Sequence, residues 1–308
     1  MGLALEFVMH LTGRKDSSMD VRIGLQLYSV RQSLAADPWG TLAQIAQAGF
    51  TRLEAANHNA RNDPGVGFGV QAPELCDLLG DLGLSIVGCH INPLHLDILP
   101  RALDYQAELG NAQIGCDIEF YPYGDRDSVL RRCEAFNRVG ELARERGMRF
   151  YYHNHFQEFQ RFGDDFVYDL ILANTDPSLV FLEIDTYWVY RGGQDPIEWM
   201  TRYSDRVILL HQKDFPADAP QPLDLYQGIV SPTESIDMAV FEERKNTLCF
   251  TEIGTGVLPI QDIVDAAAKL PNLDYMFLEQ DHTTLPELES IRRSHDAFSA
   301  KFTGITWP

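Results

Sequence analysis

The stretch RERGMRFYYH, residues 144–153, decides the fold. Charged helix formers run into Gly147, and a mostly apolar, β-prone run follows at once. A glycine in that place serves as the left-handed residue that ends a helix. An apolar strand straight after it marks a strand buried on both faces, as in a parallel sheet. The same punctuation recurs in AQAGFTRLEA (46–55), LGDLGLSIVGCH (79–90) and AELGNAQIGCD (107–117), with Gly49, Gly83 and Gly110 in the capping place.

Extended along the chain, the pattern predicts strands at 22–27, 51–55, 84–89, 112–117, 148–153, 179–184, 206–211 and 274–279, with helices between them. Asp37-Pro38 and Asp195-Pro196 have the form of an N-cap followed by the first helical residue. Such a series of β-then-α units, over about 280 residues, matches a (β/α)8 TIM barrel, an α/β fold. A doubly wound open sheet is the alternative, weakened because no G-x-G-x-x-G follows the first strand.

Residues 21–308 are read as a single barrel domain. Residues 213–258 form an insertion after strand seven, with an extra strand expected in TLCFTEIGTG (247–256). Insertions of that length after a barrel strand commonly act as lids or substrate loops. Residues 1–20 read as a poorly packed extension. Their basic residues follow a short apolar patch instead of preceding it, unlike a secretory signal.

Of the 308 residues, 25 are Lys or Arg and 45 are Asp or Glu, a net charge of −20. A nucleic-acid reader needs a basic face, so nucleic acid is not an expected partner. No apolar run reaches the roughly 20 residues that span a bilayer, so no membrane association is expected. The 5 cysteines are scattered, with no C-x-x-C. That argues against a disulfide framework or a structural zinc site and fits a cytoplasmic protein, with Cys89 and Cys116, in expected strands, read as small buried hydrophobes.

In a barrel the C-terminal strand ends converge on one mouth, where the chemistry is built. Here those ends carry Glu54, His90, Asp117, Glu119, His153, His155, Glu158, Asp185, His211 and Glu279. The opposite ends carry no comparable set. Any one such residue can cap a helix or line a wall; it is their convergence that points to a site. Glutamate, aspartate and histidine together make a mixed oxygen and nitrogen site for one divalent ion: Mn²⁺ first, with Mg²⁺, Co²⁺ or Zn²⁺ as alternatives. Asp185, His211 and Glu279 each close an apolar strand. Glu158, with His153 and His155 as rivals, is the fourth candidate ligand.

At these residues the chain resembles the xylose-isomerase-like TIM-barrel superfamily, in its sugar phosphate isomerase/epimerase branch. The resemblance spans residues 22–301 and is carried by IGLQLYSVR (23–31), YYHNHFQEF (151–159), FLEIDTYWVYRGGQDP (181–196), ILLHQKDF (208–215), FTEIGTG (250–256), MFLEQD (276–281) and LESIRRSHDAF (288–298). It implies a metal held by side chains of strands five to eight, with Asp185, His211 and Glu279 in three matching positions and Glu158 in the fourth. It also implies a small-molecule sugar or keto-sugar substrate and a homo-oligomer. The chain departs from the branch's epimerases at strand five, where His-Asn-His stands in place of a glutamate. That departure counts against a two-glutamate proton shuttle.

The expected reaction is proton transfer alpha to a keto-sugar carbonyl through an ene-diolate, as in isomerases and epimerases. A divalent ion gripping the carbonyl and its neighbouring hydroxyl would stabilise the developing charge. Glu158, His155 or Glu279 is the base, and Lys213 adds positive charge, unless it is a surface residue paired with Asp214. His90, Asp117, His153, Trp188 and Glu252 are candidate substrate contacts, Trp188 by stacking on a sugar face. Expulsion of a β-substituent from the same intermediate would make the protein a 3-keto-sugar lyase or dehydratase. A non-catalytic sugar-binding barrel and an endonuclease-type phosphodiesterase are the remaining alternatives.

Overall fold

The structure, a computed structural model, describes residues 20–308. The expected strands form as β1 Val21–Gln26, β2 Arg52–Asn57, β3 Ser85–Ile91, β4 Gln113–Cys116, β5 Arg149–His153, β6 Val180–Asp185, β7 Val207–Gln212 and β8 Tyr275–Leu278. Each pairs in parallel with the next, and β8 returns to β1 through Ile23↔Met276 and Leu25↔Leu278, closing the barrel. A last short strand, β9 (Ile305–Thr306), lies beside the start of β1. The expectation for residues 1–20 lies, but for Asp20, outside the described residues.

The punctuating glycines behave as their placement requires: Gly49, Gly83, Gly110 and Gly147 have φ of +100°, +68°, +80° and +72°, a region where a Cβ is strained. Asp37 caps the helix Pro38–Gln47 by accepting from the Gly40 amide at 2.9 Å. Asp195 caps Pro196–Arg202 through the Ile197 amide at 2.8 Å. Among the described residues no helix is long and apolar enough to cross a membrane.

The alternation of side chains along a strand stacks the barrel interior in layers. Tyr151, Leu209 and Phe277, with Phe181 and Tyr275 against them, form an apolar plug distinct from the main core between barrel and helices. Two residues further along, the same faces of β5 and β7 present His153 and His211. Glycines opposite make room for the plug. A Cβ on Gly24 would lie 2.6 Å from the Phe277 ring, and one on Gly115 would run into Tyr151. The apolar plug thus sets the height at which the polar layer begins.

The insertion differs from expectation in one respect. It contains the helix Met238–Arg244, but residues 247–256 form no strand, only an isolated bridge between Asp214 and Thr251. The Asp214 carboxylate instead accepts from the amides of Gly254 (3.0 Å), Gly256 (2.8 Å) and Leu258 (3.2 Å). With those donors satisfied by a side chain, the segment needs no strand partner.

Candidate active site

β5 to β8 end in His153, Asp185, His211 and Glu279, each offering one ligand atom within 4.8 Å of the others. Asp185 and His211 are register partners on adjacent strands. One layer deeper, His90, His153, Glu183 and His211 form a second such group. All of these side chains are buried.

Glu54, Glu183, Asp185, Glu279 and Asp281 are packed around the imidazoles and Lys213. Lys213 Nζ lies 2.6 Å from Glu279 and 3.3 Å from Asp281, and also pairs with Asp185. His211 Nδ1 is 2.8 Å from Glu279, and its Nε2 is 2.6 Å from Glu54. His90 Nε2 is 2.7 Å from Glu183.

Burial opposes charge on every member, and the neighbours decide the outcome. His90 rises to about 9 because Glu54 and Glu183 outweigh its burial. Glu183, Glu279 and Asp117 are held down by the histidines, and in Glu279 first by Lys213, against the effect of burial. Burial raises Asp185 to about 6 even with Lys213 beside it. Burial and the nearby His211 push His153 down to about 3, leaving it neutral, the form in which imidazole ligates metal.

The donor set fits a divalent ion. Carboxylates outnumber the permanent cation Lys213, and the buried Glu183 Oε1 shares its one polar neighbour, His211 Nε2 at 3.0 Å, with Glu54 at 2.6 Å. A buried negative surplus calls for a bound cation or shared protons, and mixed imidazole and carboxylate donors suit a first-row divalent ion.

Above this floor is a cavity of about 270 Å³ whose walls include His58, His90, Asp117, His155 and Phe241. The structure places His90, Asp117, His153, His155 and Glu279 on it, and Lys213 just beneath. Lys213 is buried in the carboxylate cluster and does not pair with Asp214, which is turned to the insertion. Trp188 is not a chamber wall. It sits in the first turn of the helix Thr186–Arg191, capped by Asp185, fully buried against Phe241 and Phe250. Glu252 is turned elsewhere too, accepting from Thr283 (2.7 Å) and Ser290 (3.0 Å) hydroxyls.

Glu158 is outside both groups. Its carboxylate accepts from the Tyr152 hydroxyl at 2.7 Å and the His155 amide at 2.8 Å. Tyr152 alternates with His153 and faces the helix layer, where it packs on Phe136 and Tyr168. The histidine His153 thus takes the strand-five place in the group. Burial raises Glu158 from 4.5 to about 7. The folded state therefore binds a proton that the unfolded chain has released, and stability falls as pH rises from about 4.5 through about 7. Glu158→Gln is expected to flatten that fall in urea midpoints while leaving bound metal unchanged. Loss of metal from this variant would restore Glu158 as a ligand.

Sequence reasoning named Glu54 without giving it a role and passed over Glu183, Asp281 and His58. For Glu183 the signal was present: in FLEID, strand alternation puts Glu183 on the same face as Asp185.

No known protein-family profile matches the chain. A stretch of 142 residues is 32% identical to the inosose dehydratase of Geobacillus kaustophilus, covering 46% of this chain and 41% of that enzyme. Another of 103 residues is 34% identical to the inosose dehydratase of Clostridium beijerinckii, covering 33% of each. The matches thus span less than half the length of these relatives. The crystal structure of a sugar phosphate isomerase/epimerase from Parabacteroides distasonis superposes with a TM-score of 0.72 over 94% of this chain and 97% of the other, at 23% identity. By its closed barrel and these likenesses, the chain has the xylose-isomerase-like TIM-barrel fold.

Proposed function

We propose that the protein is a divalent-metal-dependent lyase that removes water from a polyhydroxylated cyclic ketone of the inosose type. This gives elimination precedence over the isomerisation or epimerisation first expected from the sequence. The observation that carries it is the position of the glutamates. Glu158 is turned out of the barrel and His153 stands in its place, so Glu279 is the lone glutamate in the upper ligand group. A shuttle between two glutamates of that upper group lacks its second member, since Glu183 lies one layer deeper, whereas elimination needs only one base at the alpha carbon. The partial likeness to inosose dehydratases supports the same choice.

His153, Asp185, His211 and Glu279 would hold the metal, which when bound supplies Lewis acidity to the keto oxygen. Lys213, fixed by its carboxylates, adds positive potential below the developing enolate. His155 lines the chamber, and its buried Nδ1 has no hydrogen-bond partner. Burial, then His153 and Lys213, hold its pKa well down, so the ring is neutral and its lone pair is available. It is the base that takes the alpha proton.

The substrate is unphosphorylated in this reading. Lys213 is engaged by carboxylates and Lys245 by Glu242 at 2.8 Å, so neither chamber lysine is free for a phosphate.

Mn²⁺-loaded protein given an inosose is expected to form the absorbing unsaturated ketone. A chelator should cut that rate at least about 100-fold, with recovery on adding metal back. Conversion to an epimer with no unsaturated product would overturn the reading.

A further inference from the structure

We propose that His58, aligned by Asp117, is the acid that protonates the departing oxygen; this rests on the elimination reading above. Hydroxide is a poor leaving group, so expelling it from an enolate calls for a proton donor positioned at the β oxygen. Most protonated groups near the chamber are committed elsewhere. Lys213 is enclosed by Asp185, Glu279 and Asp281, and Lys245 is held by Glu242. His90 donates into Glu183, and burial together with Asp281 lifts the Tyr28 hydroxyl to about 12.

His58 differs from these. It follows the end of β2, across the barrel from the end of β6, and its side chain is about half exposed at the chamber wall. Its Nε2 lies 3.4 Å from the Asp117 carboxylate. Asp117 is itself buried and fixed by the Asn92 amide at 2.8 Å. A fixed carboxylate on one ring nitrogen orients the imidazole, so Nδ1 is the nitrogen left to carry a proton to a substrate. His58 also walls a neighbouring cleft of about 390 Å³, which it shares with Leu34, Val66 and Phe68. It therefore stands between the place of reaction and a route out for the group that leaves.

The step balances without any further reactant. His155 takes the alpha proton, and the C–H electron pair becomes the carbon–carbon double bond. The β carbon–oxygen bond breaks with its pair on oxygen, and the proton from His58 joins it. Water and an α,β-unsaturated ketone leave, and solvent exchange restores both histidines.

His58→Ala and His58→Gln would be compared with the wild type in deuterated water, using an inosose and its β-fluoro analogue. Loss of water should fall about 10²- to 10⁴-fold, while alpha-proton removal, read as deuterium uptake by NMR, stays within about twofold. Loss of fluoride, which needs no proton, should stay near the wild-type rate. The assignment is overturned if water and fluoride loss fall equally, if deuterium uptake falls with them, or if water loss is unchanged. A wild type that neither exchanges nor eliminates would instead sink the elimination reading, and this assignment with it.

Discussion

Asp185→Asn is expected to strip the site of its metal and lower turnover by about 10³-fold or more, since Lewis-acid stabilisation supplies several kcal/mol at about 1.4 kcal/mol per decade. The substitution separates two jobs of one side chain. Asp185 Oδ1 caps the helix Thr186–Arg191 by accepting from the Trp188 amide at 2.9 Å. Its Oδ2 faces Lys213, with His153 Nε2 at 3.8 Å and His211 Nδ1 at 4.0 Å. An asparagine keeps the capping oxygen and removes the charge. Stability should therefore change by only about 1 kcal/mol, near the net worth of one hydrogen bond. Asp185→Ala loses the cap as well and should cost about 1 kcal/mol more. Activity within tenfold of wild type in the asparagine variant, with metal retained, would remove Asp185 from the ligand set.

Lys213→Met is expected to destabilise the metal-free protein by about 3–5 kcal/mol, the cost of leaving buried charges without their partner. At roughly 2–4 °C per kcal/mol for a chain of this size, the melting temperature should drop by about 10 °C. The methionine fills most of the space of the lysine stem, so packing contributes little. What is lost is the ammonium shared by Asp185, Glu279 and Asp281. Saturating Mn²⁺ should recover much of the loss, because a cation then returns to the same carboxylates. A variant as stable as the wild type without metal would mean that the cluster carries protons where charge is assigned here.

The barrel was legible because its signals are periodic. Gly49, Gly83, Gly110 and Gly147 mark four helix ends, and the apolar runs place each strand within two residues of its observed bounds. The strand-end residues Asp185, His211 and Glu279 were legible for the same reason, since closure of the barrel brings those ends together. Glu183 was missed by counting only the last polar residue of each strand, when alternation extends the polar layer one step deeper. The misplacements lie where the chain turns. Glu158 falls in the 3₁₀ turn Gln157–Phe159, whose rotation sends its carboxylate to Tyr152. Trp188 is directed inward by a helix that starts on Asp185, a capping aspartate that the sequence displays but that was read only as a ligand. His58 lies in a loop beyond β2, and no periodicity predicts which wall a loop residue will face.

The proposed chemistry requires one divalent ion among His153, Asp185, His211 and Glu279. Anomalous diffraction from crystals grown with Mn²⁺ or Co²⁺ tests it most directly. The expected result is a single strong peak bounded by those side chains, gone in crystals of Asp185→Asn. A peak beside Glu158 and Tyr152, or no peak in crystals of protein that still turns over an inosose, would contradict it.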